Sequence, residues 1–284
     1  MSEGSVASSM AQAFTPAVRA LFFTFIFAAS AAAQSSQPVV VSAPAAPDFL
    51  TRYDFHLSIE RLMLSTPTPA AVDDRFAWDS RFGGSIDIAD LVVARLGVII
   101  DYQAVMGSEY RPFDPNQGNY TLEGFVSARV GANTEVAGIF HHVSRHLSDR
   151  SKSFAVAYNE VGGRVLHRLT LGTTTVDLDL EGGRPVQHSY VDYTWIGEGQ
   201  LLIRRPLTEH VSLFAHGSGQ AFAVNDALAN RGTQAGGQVE AGVRVTGRAG
   251  VLEVFAGYEK RVDADPLDRL SQRWGLAGFR LLSR

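Results

Sequence analysis

The chain has 284 residues, 45% of them hydrophobic, with 27 glycines, 11 prolines and no cysteine. A net charge of −4 and a pI near 6.1 leave no basic footprint for nucleic acid. The missing cysteine excludes a disulfide framework, a thiolate nucleophile and thiolate metal sites, and a single all-β domain with many tight turns fits what remains.

The first segment is a targeting sequence. Arg19 is followed by an apolar run over residues 20–29 and then by Ala31-Ala32-Ala33-Gln34, an Ala-x-Ala cleavage pattern. Residues 1–33 therefore read as a cleaved signal peptide, with Met1 or Met10 as its start; the run is too short to cross a bilayer as a helix. Residues 34–50, rich in Pro, Ala and Ser, read as a flexible lead-in, and residues 51–284 as the folded domain.

From Tyr53 onward the hydrophobic period is two. Tyr53, Phe55, Leu57 and Ile59 alternate with Asp54, His56, Ser58 and Glu60, and the pattern returns near 91–104, 120–131, 176–180, 191–198, 211–216, 238–245 and 252–261. In the segment at 191–198, Val191, Tyr193 and Trp195 fall on the apolar parity. Short breaks near 88–90, 131–133, 169–173, 206–209 and 247–250 alternate with longer ones near 65–74, 105–118, 145–152, 182–187, 224–234 and 263–271. About twelve strands of membrane-crossing length result, which predicts a closed antiparallel transmembrane β-barrel in the bacterial outer membrane. An even strand number puts both termini with the short turns, on the periplasmic side.

Trp78, Tyr102, Tyr120, Phe140, Phe154, Tyr190, Tyr258 and Trp274 lie near loop-side strand ends and form the expected interfacial girdle. The last strand breaks the pattern: Trp274 and Leu276 share parity with Arg280, while Phe279 and Leu281 take the other, so a bulge or early end is expected there. A parity slip is also expected around Asn159–Gly163. On the second face, charges such as Glu60, Asp79, Arg95, Asp101, Glu123, Glu135, Glu240, Arg244, Glu253 and Arg261 point into the lumen. Mixed signs there suggest internal pairing more than a selective pore, and Phe125, Phe214 and Phe255 narrow the passage further. A small channel is kept as one reading.

One segment departs from this economy. His142, Ser144 and His146 share the parity of Val136, Gly138 and Phe140, which is the lipid face. An imidazole beside a serine on one strand face can accept the hydroxyl proton and create a nucleophile; residues i and i+2 lie about 6.5–7 Å apart at Cα. A hydrolytic site among these residues is one reading on chemistry, with Asp149 in the adjoining loop able to fold back onto an imidazole. Glu160, on the next strand, is expected to lie well below Ser144. A divalent metal held by His142, His146 and Asp149 is an alternative. So is a polar rim of His141, His142, Ser144, Arg145, His146 and Asp149 that contacts lipid headgroups or lipopolysaccharide phosphates.

His142-Val143-Ser144-Arg145-His146-Leu147-Ser148-Asp149 resembles the His-x-Ser-Ser-His-Leu-Gly-Asp signature of an uncharacterised outer-membrane barrel family, domain of unknown function 1207. Arg145 and Ser148 depart from that signature. His142 and Ser144 also resemble the His-x-Ser pair of the lipid A 3-O-deacylase barrels, which are built from fewer strands. The first resemblance implies an outer-membrane barrel without an assigned activity; the second implies a lipid-directed serine esterase with His142 as base, Ser144 as nucleophile and an acidic orienting partner such as Asp149. The expected partner in either case is envelope lipid, with the protein monomeric and without a required cofactor.

Overall fold

A computed structural model describes residues 39–64, 74–147, 153–228 and 230–283 of the chain. The expected signal peptide over 1–33 lies outside them, as does Asp149. Twelve antiparallel strands run in chain order: β1 (Asp48–Leu64), β2 (Trp78–Asp90), β3 (Ala94–Gly107), β4 (Asp114–Gly131), β5 (Thr134–Leu147), β6 (Val156–Leu171), β7 (Thr174–Ser189), β8 (Tyr193–Pro206), β9 (Val211–Val224), β10 (Gln234–Thr246), β11 (Val251–Asp265) and β12 (Leu270–Leu282). Each pairs with its neighbours in sequence, and β1 pairs with β12 from His56↔Leu282 to Leu64↔Trp274. The cylinder is closed. No strand edge is left to meet hydrocarbon, where an unsatisfied backbone group costs several kcal/mol.

Alternation sends apolar side chains outward. Phe55, Phe82, Ile100, Leu122, Val126, Phe140, Val161, Val239 and Val254 are all exposed in the isolated barrel. The complementary positions are charged and buried: Glu60, Asp79, Arg95, Asp101, Glu123, Glu135, Glu240, Glu253, Glu259 and Arg261 are each less than a tenth exposed. This division gives the architecture of an outer-membrane β-barrel, with lipid as the solvent of one face.

The lumen is filled by ion pairs and apolar clusters. Arg95 pairs with Asp87 at 2.8 Å and with Glu135 at 2.7 Å, and Arg280 pairs with Glu240 at 2.9 Å and Glu253 at 2.8 Å. Leu62, Phe76, Val105, Phe214, Phe255, Ala264, Trp274 and Leu276 form one apolar cluster inside the wall. The outer end of β11 folds inward: its register with β12 is interrupted between Arg261 and Asp265, Asp263 has φ 47°, and Val262 to Asp265 are buried. The Asp263 carbonyl accepts from Arg145 Nη1 at 2.7 Å, and that of Ala264 accepts from Gln117 Nε2 at 2.6 Å. Strand β5 lies diametrically opposite β11 in the strand order, so the first bond crosses the whole lumen. Above it, Arg231 bridges Asp192 at 2.7 Å and Asp263 at 2.6 Å. Burial works against the charge on this loop guanidinium, but the two carboxylates outweigh it and raise its pKa above the ordinary arginine value.

Several expectations are corrected. The long break at 182–187 is not a loop: β7 runs through it to Ser189, and the connection to β8 is only residues 190–192. A bulge in β7 falls between Pro185 and Gln187, where proline's missing donor is tolerated. The slip expected at Asn159–Gly163 does not occur: β6 keeps strict alternation there, with Glu160 and Arg164 both inward, and the irregularity lies on β7 instead. The break at 105–118 shrinks to residues 108–113. Trp274 belongs to the interior, fully buried, with Arg261 stacked 5.2 Å from its ring. Strand β12 needs no bulge after Gly275: Trp274, Leu276 and Arg280 all face inward, and Phe279 and Leu281 outward. Apolar parity misled here because part of the lumen is itself apolar. In β8 a register shift between Tyr193 and Trp195 turns Tyr193 inward onto Phe222 while Trp195 stays outside.

The end of the segment read as a flexible lead-in is tied down. Val40 is buried, the Val41 amide donates to Glu135 Oε1 at 3.2 Å, and its carbonyl accepts from Arg129 Nε at 3.2 Å. Glu135 thus serves Arg95, Ser127 Oγ and the incoming chain at once. Glu135→Ala leaves part of a buried guanidinium unpaired, and denaturant unfolding of the refolded barrel is expected to show a loss of about 3 kcal/mol.

Candidate functional site

Strand β5 places His142, Ser144 and His146 outside and His141, Val143 and Arg145 inside, as the strict period of two requires. The six-residue rim expected from sequence is therefore split by the wall. Arg145 serves the cross-lumen contact, and His141 lies 3.7 Å from Glu181 in the interior.

The outward residues meet polar partners from neighbouring strands. In the β5–β6 register, His142 faces Asn159 and Ser144 faces Ala157. His142 Nδ1 and Asn159 Oδ1 are 2.6 Å apart, and Asn159 Nδ2 donates to Gln187 Oε1 of β7 at 2.9 Å. Ser144 Oγ lies 3.1 Å from His146 Nε2. Tyr120 meets the His146 ring edge-on at 5.1 Å and 88°.

Aromatic rings continue the row on the other side. Phe82, Tyr102 and Tyr120 lie 5.1 and 4.8 Å apart in sequence around the wall. Gly118 is the register partner of His146, and a Cβ there would sit 2.6 Å from the Tyr102 hydroxyl. Its missing side chain leaves room for the end of the Tyr102 ring over this position. Aromatic rings of this kind are enriched at the membrane–water interface, and Tyr120 and His146 place Ser144 beside the strip.

Sequence reasoning found Ser144 and His142 and missed Asn159. The signal was a lone Asn in a strand, whose pairing with His142 depends on the β5–β6 register across a long loop. Glu160, the acid weighed from sequence, is buried and inward as the partner of His141, so it cannot orient His142 from outside. Gly183 makes room for it, since a Cβ there would lie 2.1 Å from Glu160 Oε1. Asp149 is not among the described residues, so its expected part in a triad or a metal site has no geometry here.

Among the described residues, the acidic and imidazole ligand atoms that converge belong to Glu123, His141 and Glu181, inside the barrel, and not to His142 or His146. Arg164 already forks Glu123 at 2.5 and 2.7 Å and contacts Glu181 at 2.5 Å. A metal ion there would have to displace a buried guanidinium.

No protein-family model matches the chain, and no curated protein does. Solved structures with a similar fold include outer membrane phospholipase A from Escherichia coli, at 12% identity and TM-score 0.49 over 81% of this chain and 92% of that one. LpxR from Salmonella typhimurium has 8% identity and TM-score 0.45 over 81% and 99%, and OmpT of Vibrio cholerae 11% and 0.38 over 88% and 98%. The likeness is of barrel fold alone.

Because the chain has no cysteine, single-cysteine probes report each position cleanly. A bimane on Ser144→Cys or Ala157→Cys is expected to be quenched by brominated lipid, and one on Val143→Cys is not; equal quenching at 143 and 144 would refute the outward placement.

Proposed function

We propose that the protein is a lipid-directed serine esterase of the outer membrane, cleaving an acyl ester of phospholipid or lipopolysaccharide at the outer-leaflet interface. The observation that carries this reading is the hydrogen-bonded His142–Asn159 pair two residues from a serine, on the face that meets lipid. Stability supplies no reason to put such a group there, since polar side chains on the lipid face cost free energy in proportion to their depth.

The roles follow from the geometry. Asn159 Oδ1 accepts from His142 Nδ1–H, which leaves Nε2 unprotonated and able to take a proton, the arrangement of an imidazole base oriented by a third group. Rotation about χ1 brings the Ser144 hydroxyl from His146 towards His142. Ser144 Oγ then attacks the acyl carbonyl carbon, its proton passes to His142 Nε2, and the C–O bond to the glycerol or sugar oxygen breaks as that oxygen takes the proton. Water, deprotonated by the same nitrogen, releases the fatty acid and restores the serine. All three side chains come from adjacent strands of one chain, so a monomer suffices for the chemistry. Asn159 is the orienting group in this reading, and Asp149 lies outside the described residues.

A conducting pore is the weaker reading. The cross-lumen bond from Arg145, the Arg231 bridge and the interior apolar cluster occupy the path an ion would take.

Refolded protein in mixed micelles is expected to release fatty acid from diacyl phospholipid or lipid A. Ser144→Ala and His142→Ala each lower kcat by at least about 1,000-fold, and Asn159→Ala by about 10–100-fold. Mass spectrometry of envelope lipids from cells with wild-type and Ser144→Ala protein checks the substrate: identical acylation in the two strains would end the esterase reading.

A further inference from the structure

We propose that Gln187 is a positioning residue for this site, and that the bulge in β7 is there to aim it. The proposal rests on the esterase reading for its catalytic consequence; its structural half stands on its own.

Side chains of a regular strand alternate between faces, so Pro185 and Gln187 would share one face. They do not. Pro185 is buried in the interior, Val186 is 60% exposed, and Gln187 is exposed on the outside. The β6–β7 register shows the cause: Glu160 pairs with Pro185 and Asn159 with Gln187, so β7 carries one residue more than β6 across this step. A bulge of this kind turns the following side chains over and is a recurrent way of re-aiming one of them. With the same residues paired in regular register and no bulge, Val186 would face Asn159 and Gln187 would point into the lumen.

Asn159 needs that neighbour for a specific reason. Its carboxamide has an acceptor end and a donor end of nearly the same shape, and a half-turn about its last torsion exchanges them. With Oδ1 towards His142, Nδ1 carries the ring proton and Nε2 is free to act as base. With Nδ2 towards His142, Nδ1 becomes the acceptor and Nε2 holds the proton, which is the wrong tautomer for a base at Ser144. The 2.9 Å bond from Asn159 Nδ2 to Gln187 Oε1 holds the first orientation, in which the donor end of one amide meets the acceptor end of the other. An aspartate at 159 would present an oxygen either way and would not need this selection. Gln187 therefore acts two bonds away from the reaction: it fixes the amide, the amide fixes the imidazole proton, and that proton decides which nitrogen is basic.

The test reads the imidazole directly and the turnover separately. Histidine labelled with 15N in the folded barrel reports the His142 tautomer, its signals assigned by their loss in His142→Ala. Wild-type protein is expected to show Nδ1–H as the dominant form. Gln187→Ala is expected to give a mixture with Nε2–H, and Gln187→Glu, which keeps an acceptor towards Asn159, to return most of the population to Nδ1–H. In turnover, Gln187→Ala should lower kcat by about 10-fold with little change in KM. In an Asn159→Asp background the same substitution should cost less than about threefold, because the flip no longer matters. An unchanged tautomer in Gln187→Ala overturns the proposal, as does an equal kcat penalty in both backgrounds, which would mark a purely structural role. If the tautomer shifts as expected while Ser144→Ala retains full activity, the positioning relay stands and the esterase reading fails. Should Gln187→Ala not refold, the tautomer in Gln187→Leu and Gln187→Glu decides: a shift in the first and not in the second supports the relay, and the same tautomer in both refutes it.

Discussion

Closure of the hydrogen-bond ladder between β1 and β12 is the constraint from which the other features follow. Hydrocarbon offers no hydrogen bonds, so a strand can cross it only if each backbone donor and acceptor finds another strand. Once the ring is closed, every residue in it faces either lipid or lumen, and a shift of one place exchanges the two. Register therefore carries the chemistry of this protein. The polar set on the lipid face, His142, Ser144, His146, Asn159 and Gln187, is brought together by the pairing of β5, β6 and β7.

The interior shows how such a cylinder is filled when it is wider than a single layer of side chains. Charges lie in mutually satisfied forks, as in the Arg164 contacts with Glu123 and Glu181 or the Arg280 contacts with Glu240 and Glu253. Burying such pairs returns little net free energy, but removing one partner leaves an uncompensated charge. The β11 end folded into the lumen adds a crossing point where backbone carbonyls accept from the opposite wall. In the proposed function, a filled lumen supports the wall that holds side chains of three strands in mutual register.

That outside site has an uneven environment. On one flank, Phe82, Tyr102 and Tyr120 form a row of mutually tilted rings ending against His146; on the other, the amides of Asn159 and Gln187 reach from adjacent strands. In the proposed function, a lipid with its ester at Ser144 meets rings on one side and hydrogen-bonding groups on the other. The split between Ser144–His146 and His142–Asn159 makes the serine rotamer the step between the observed arrangement and a reactive one.

The alternation of apolar and polar residues was enough to establish the barrel, its strand number, the inward charges and the outward setting of His142 and Ser144, because side-chain direction in a strand depends only on parity. Parity misled wherever an apolar side chain fills the lumen, as Trp274 and Leu276 do, or a bulge resets the count, as beside Tyr193 and at Pro185. It also had no means of matching residues between strands. Pairing Asn159 with His142 needs the register across the loop from β5 to β6, and bringing Gln187 beside Asn159 needs a bulge in a segment whose Gly-Gly-Arg-Pro composition reads as a loop. One strand's chemistry is a local property; the contacts that give it direction are long-range, and only the folded ladder decides them.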